Sequence, residues 1–198
     1  DAESLTAIDS EVSRMTRLVN NLLLLAKAES GDVPFEMAVL DLDTIVLDVF
    51  RQMKVVAGDK VKLKLGDMDQ IQIVGDRDRI KQVLLNLVGN AIQYTPQGGQ
   101  VTLALQRTEK YAQIIVSDTG RGISEEDLPH IFDRFYRGEK SRKRERNTGF
   151  GLGLSISNWI VKSHNGRIEV TSQENKGTTF CVNLPLGESK TPHVAVKM

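Results

Sequence analysis

Apolar residues fall at Leu5, Ile8, Val12, Met15, Val19, Leu22 and Ala26, a spacing that alternates between three and four. That is a heptad seam, and it predicts one helix over residues 4–29. At ~1.5 Å rise per residue such a helix is about 40 Å long. Leu18 and Leu25 widen the seam into a stripe suited to a helical bundle. Nothing else at this end of the chain can bury the stripe, so the pattern calls for a partner helix. Packing on the chain's own domain is the alternative. Ser30-Gly31-Asp32-Val33-Pro34 then breaks the helix. The chain is thereby divided into a helical element (1–30), a linker (31–38), a domain (39–186) and a polar tail (187–198) read as flexible.

Composition narrows the class. Lys plus Arg and Asp plus Glu both total 26 of 198 residues, so the formal net charge is zero. That balance excludes a general nucleic-acid binder, which needs surplus positive charge, but leaves a local cationic patch open. Apolar residues at 40% are too many for wholesale disorder. The longest apolar run, residues 22–26, falls far short of the roughly 20 needed to cross a bilayer. One cysteine, Cys181, cannot form an internal disulfide, so a reducing compartment is expected. The chain opens on Asp1 rather than Met and shows no signal peptide, which reads as a fragment or a processed chain.

From residue 39 onward strands and helices alternate. Strands are predicted near 39–42, 60–65, 71–74, 100–106, 111–117, 167–172 and 178–184, and helices over 43–57, 77–94 and 152–163. Gly66-Asp67 reads as a turn, and Asp76 as the cap of the second of these helices. Adjacent hairpins with helices between them predict an α+β fold, a two-layer sandwich of one mixed sheet covered by helices on one face.

Four segments can carry chemistry. Asn86, Asn90 and Gln93 share one helix face at i, i+4 and i+7. Asparagine is a poor helix former, and an amide oxygen is a neutral, hard ligand suited to Mg²⁺; a solvated polar face is the competing reading. Asp118-Thr119-Gly120-Arg121-Gly122-Ile123 follows an apolar strand. An ionised Asp only accepts hydrogen bonds, and close glycines let a flat ligand approach, so an exocyclic amine such as adenine's fits; a plain glycine turn competes. Gly149-Phe150-Gly151-Leu152-Gly153-Leu154 runs into a helix whose first N–H groups can cradle phosphate. It is neither a dinucleotide fingerprint nor a Walker loop. Residues 137–146 hold six cations and two anions, read either as a solvated loop or as a lid over an anionic ligand.

Taken in order, Asn-x-x-x-Asn-Ala, Asp-x-Gly-x-Gly, Phe-x-x-Phe-Tyr-Arg and Gly-x-Gly-Leu-Gly-Leu resemble the ATP-binding domain of bacterial sensor histidine kinases. In that family's terms residues 86–96 look like the N box and 118–123 the first glycine box. Residues 132–137 look like the F box, 149–154 the second glycine box and 177–179 a third. The resemblance implies a Bergerat-type (GHKL) two-layer fold that binds Mg-ATP under a lid. It implies that Asp118 holds the adenine amine, with Gly120, Gly122 and Ile123 lining the base pocket, Thr178 beside it and Tyr94 flanking the nucleotide. Asn90 would ligate Mg²⁺ and Asn86 would support metal and phosphates. Tyr136 and Arg137 would bind the nucleotide, Arg137 meeting the terminal phosphates, and Gln93 is a further nucleotide-binding candidate. Gly151, Leu152, Gly153 and Leu154 would contact the phosphate chain, and Gly149 is a further nucleotide-binding candidate. Asn86 and Arg137 are the catalytic candidates. Residues 1–30 resemble the second helix of the family's dimerisation hairpin. The implied partners are a second protomer and a response-regulator receiver domain. The implied parent is membrane-anchored, with this part facing the cytoplasm.

Two departures matter. Gln93 stands where the family often has Lys, and an amide cannot supply a point charge to phosphate. The phosphoacceptor motif, His-Glu/Asp-x-x-Ser/Thr-Pro, surrounds none of His130, His164 or His193, each of which reads as a surface or capping residue. The chain is therefore expected to bind Mg-ATP without labelling itself. Related gyrase-type, mismatch-repair and chaperone ATPases carry Glu at the position of Asn86 to activate water, and Asn cannot take that proton. Transfer to a protein nucleophile is favoured over steady hydrolysis. The rival reading is a non-catalytic nucleotide-sensing or dimerisation module of degenerate kinase type, with Gln93 in its favour.

Overall fold

The computed structural model describes residues 2–30, 33–138 and 150–186. Its elements are α1 (Ala2–Ser30), β1 (Ala38–Asp41), α2 (Leu42–Ala57), β2 (Lys62–Met68), β3 (Gln72–Gly75), α3 (Arg77–Tyr94), β4 (Gln100–Arg107) and β5 (Tyr111–Asp118). A 3-10 turn at Leu128–His130, α4 (Gly153–Ser163), β6 (Arg167–Gln173) and β7 (Gly177–Pro185) complete them.

The five-stranded sheet has the order β2-β4-β5-β7-β6. Only β2 and β4 run parallel; the other neighbours are antiparallel. Alternation of side chains sends Val101, Leu103, Leu105, Ala112, Ile114, Val116, Phe180, Val182 and Leu184 to one face. Against that face pack Ile45, Val46, Val49 and Met53 of α2, Val83, Leu84, Leu87 and Val88 of α3, and Ile156, Ile160 and Val161 of α4. The α+β expectation with helices covering a mixed sheet stands.

Two expectations need correction. The sheet is not single: β1 and β3 form a separate antiparallel pair, with Leu40 opposite Ile73, both turned to the core. Gly66-Asp67 does not open a turn. β2 continues to Met68 through an irregularity after Leu65, and a Cβ at Gly66 would stand 3.1 Å from the Ala104 Cβ of β4. Glycine there serves close strand approach rather than chain reversal.

α3 is the spine of the domain. The Asp76 carboxylate caps it, accepting from Arg79 N at 3.0 Å. Its last turn holds no basic side chain, and Lys60 Nζ, from the segment before β2, supplies one to the carbonyls of Ile92 and Gln93, 3.2 Å from each.

The entry to the domain is also fixed. Asp76 Oδ2 accepts from Glu36 N at 3.0 Å, and Asp76 N donates to His164 Nε2 at 2.9 Å. A backbone N–H can only donate, so Nε2 is the acceptor and Nδ1 carries the proton, donating to Ile160 O at 2.8 Å. His164 ends α4 as a capping residue, yet it is buried, not on the surface. The Phe35 ring meets His164 edge-on at 5.3 Å and Trp159 at 5.4 Å.

α1 occupies this end and lies against α4. Leu24 and Leu25 are buried, with Leu18 and Val33 packed beside them, so the domain covers one side. Val12, Met15, Val19 and Leu22 of the seam remain exposed, Val12 at 56%.

Candidate nucleotide site

Two turns build the first half of the site. The Asp118 carboxylate ends β5, and its Oδ1 accepts from Gly120 N at 2.8 Å and Thr178 N at 3.3 Å. Oδ2 has no hydrogen bond among the described residues. Burial lifts the Asp118 pKa above its ordinary value, against the lowering pull of the two backbone N–H groups. The turn after Asp118 is pressed against the turn between β6 and β7. Asn175 N donates to Arg121 O at 2.7 Å, and Ile123 N to Ser172 Oγ at 2.8 Å. Ser172 Oγ donates to Gly177 O at 3.0 Å and lies 2.9 Å from Thr178 Oγ1. At Gly177, φ is +124° and a Cβ would collide with Asp118 O. The C-terminus of α3 closes the same corner: Arg121 N donates to Tyr94 O at 3.3 Å, and the Arg121 guanidinium stands 4.4 Å from the Tyr94 ring centre.

The second half lies up α3. Asn86 Nδ2 donates to Ser157 Oγ of α4 at 2.9 Å. Asn86 Oδ1 faces Gly153, where a Cβ would collide with it. Asn90, one turn further, is half-buried and has no hydrogen-bond partner among the described residues. Gln93 is half-buried on the same stretch. From Asn86 to Tyr94 the helix advances about 12 Å at ~1.5 Å per residue.

The F-box segment frames the start of α4. Phe135 N donates to Gly151 O at 3.0 Å, and Phe135 itself sits at φ 63° with its ring exposed. A Cβ at Gly151 (φ 72°) would stand 2.7 Å from Tyr136 O. Tyr136 OH donates to Asp127 Oδ1 at 2.6 Å, so its hydroxyl anchors the segment from below. Arg137 follows, half-buried. Leu152 is buried, and Leu154 packs on the core.

The structure thus joins Tyr94, Asp118, Gly120, Gly122, Ile123 and Thr178 in one corner. Asn86 and Gly153 make a second corner, and Gly151 and Tyr136 a third. Gly149 and most of the cation run lie outside the described residues. Sequence reasoning missed Ser157 and Ser172. Each carries one signal, a hydroxyl where its element packs inward, but their partners are Asn86, 71 residues away, and Ile123, 49 residues away.

The donor set suits a hard cation shared with phosphate. Among the described residues no three His, Cys, Asp or Glu side chains converge into a metal cage. The Asn90 amide, with no side-chain hydrogen bond among the described residues, stands one turn from Asn86 on α3, and a neutral oxygen ligand of this kind fits the few-ligand arrangement Mg²⁺ takes with nucleotides.

Residues 75–188 match the family described as histidine kinase-, DNA gyrase B- and HSP90-like ATPase. Sensor histidine kinase WalK of Bacillus subtilis is 38% identical over 191 residues, covering 94% of this chain and 31% of WalK. Sensor histidine kinase CusS of Escherichia coli is 38% identical over 176 residues, covering 88% of this chain and 36% of CusS. The Acinetobacter baumannii histidine kinase AdeS shares the fold, with a TM-score of 0.77 at 24% identity over 94% of this chain and 86% of that one. The catalytic domain of histidine kinase ThkA aligns at 28% identity and a TM-score of 0.63, over 77% of this chain and 99% of that one. The chain belongs to this ATPase family, as the catalytic domain of a two-component sensor histidine kinase. It spans about a third of the length of the curated relatives it matches.

Proposed function

We propose that the chain binds Mg-ATP and donates the γ-phosphoryl group to a histidine on a dimerisation hairpin, for relay to a response-regulator aspartate. The observation that supports this best is α3 itself. It carries Tyr94 to the Asp118 corner and Asn86 to the start of α4, so one rigid element spans base and phosphates. Asp118 Oδ2 accepts the adenine amine. Gly120, Gly122, Ile123 and Thr178 let the base lie close to backbone, and Tyr94 flanks it. The start of α4, Gly151 to Leu154, offers N–H groups to the phosphate chain, with Gly149 before them.

Asn90 and Asn86 would hold Mg²⁺, whose chemistry is to neutralise charge on the β- and γ-phosphates. Arg137, with Tyr136 bracing its segment, meets the terminal phosphate. In the transfer the bond from γ-phosphorus to its bridging oxygen breaks, a phosphorus–nitrogen bond forms, and ADP leaves. Asn86 cannot act as a base toward water, which keeps hydrolysis slow.

On this reading the acceptor histidine lies outside this chain: neither described histidine suits it, and His193 lies outside the described residues. His164 is buried with both ring nitrogens bonded, and His130 pairs with Asp133 at 3.0 Å. The exposed seam of α1 would close a homodimer through the hairpin. The parent would be membrane-anchored and this part cytoplasmic. No helix of the described residues is long and apolar enough to cross a membrane.

The test is a Mg-ATP titration of the chain, followed by labelling with and without an added hairpin bearing the acceptor. Binding with label only on the hairpin supports the reading. Acid-labile phosphate on the chain alone contradicts it. No binding at millimolar ATP favours the non-catalytic module, for which Gln93 speaks.

A further inference from the structure

Ser157 is 1% exposed and lies on the side of α4 that buries Ile156, Ile160 and Val161. A hydroxyl in such a place is costly unless it is hydrogen-bonded. Its partner is the Asn86 amide, 2.9 Å away, reached from a helix 71 residues earlier in the chain. The amide lies over Gly153, one helical turn before Ser157 on the same face of α4, where a Cβ would collide with Oδ1 and stand 2.9 Å from Nδ2. One helix face therefore bonds the nitrogen of this amide and lies closest to its oxygen.

The bond sets which end points where. The first turn of α4 presents unpaired N–H groups and the positive end of its dipole. An amide oxygen there is favoured, and an NH₂ is not. With Nδ2 given to Ser157, Oδ1 faces the glycine-rich start of the helix.

We propose that Ser157 is a positioning residue for the phosphate end of the nucleotide site, holding Asn86 so that it offers an acceptor oxygen and not a donor NH₂ to whatever binds there. Such an oxygen addresses a cation or a metal-bound water, not a bare phosphate. The inference rests on the Mg-ATP reading above and adds a residue to it.

The experiment compares the whole chain with Ser157→Ala, Ser157→Thr, Asn86→Ala and the Ser157→Ala/Asn86→Ala pair. Affinity is measured for Mg-ATP and for ADP without metal, and Tm is recorded for each variant. Ser157→Ala is expected to weaken Mg-ATP about five- to tenfold, the worth of one lost hydrogen bond, while metal-free ADP changes less than about twofold. Ser157→Thr keeps a hydroxyl and should restore most of the loss. In the double variant the two losses should not add. Equal weakening of both ligands in step with Tm, or additive losses, would show Ser157 to be ordinary packing and overturn the proposal. Failure of the unaltered chain to bind either nucleotide overturns the Mg-ATP reading, and this inference with it. Binding by the unaltered chain with no change in Ser157→Ala overturns this inference alone.

Discussion

The two ends of the nucleotide site are built in opposite ways. The Asp118 end is backbone clasped to backbone: two turns interlock through Asn175, Ile123 and Ser172, and Gly177 leaves no room for a side chain. The Asn86 end is side chains projecting from one helix, with a single amide bonded to α4 and the neighbouring Asn90 amide without a hydrogen bond among the described residues. On the proposed reading the first end is preformed for a flat base, and the second would present ligands for an ion and phosphates to complete. Preformed groups contribute specificity because little ordering remains to be done on binding.

The largest break in this contrast is expected from Asp118→Asn. The amide can satisfy Gly120 and Thr178 with its oxygen, but then turns an NH₂ toward the adenine amine. ATP and ADP should both weaken about 100-fold, a lost charged acceptor plus an unpaired donor, while Tm does not fall. Calorimetric titration and a melt in parallel check both halves.

Asn90→Ala should act on the other end only. Mg-ATP affinity should drop about tenfold and metal-free ADP affinity hardly at all, the loss of one metal ligand. A titration repeated with EDTA separates them; equal losses would place Asn90 at the base end.

Acidity should act through Asp118 with opposite signs on binding and on stability. Its folded pKa is raised, so the native state holds that proton more tightly than the unfolded chain. The ionised form therefore costs stability at neutral pH, and the cost fades as pH falls through the raised folded value toward the ordinary one. Over the same window the acceptor is neutralised and nucleotide affinity declines. Affinity and denaturant midpoints measured against pH, with Asp118→Asn as the flat control, test the pairing.

The smallest effect is expected from Gln93→Lys. A point charge restored on α3 should tighten Mg-ATP about threefold at low salt and less at high salt. No gain would mean that other cations already serve the phosphates.

Much of this was legible in the sequence because local signals agreed. Asp76, the apolar series from Ile80 to Ile92 and Pro96 bracket α3, and the polar turn at residues 108–110 marks the β4–β5 hairpin. What escaped depended on distant partners. Gly66 reads as a turn until Ala104 of β4 lies against it. Two strands of four residues carry no hint that they pair apart from the main sheet. Leu18 and Leu25 looked like a widening of the α1 seam, yet they belong with the side that the domain covers. Ser157 reads as a helical serine until Asn86 is brought across to it.

The seat of Phe35 has a mechanical consequence. The chain enters the domain with an aromatic ring wedged against Trp159 and His164, and with Glu36 N tied to the residue that caps α3. A swing of the domain that kept this seat would have to turn about it as on an axle, and the spine carrying Asn86, Asn90 and Tyr94 would turn too. Torque on the linker would reach the nucleotide corner through the two helices that frame it, α3 by way of Asp76 and α4 by way of Trp159 and His164.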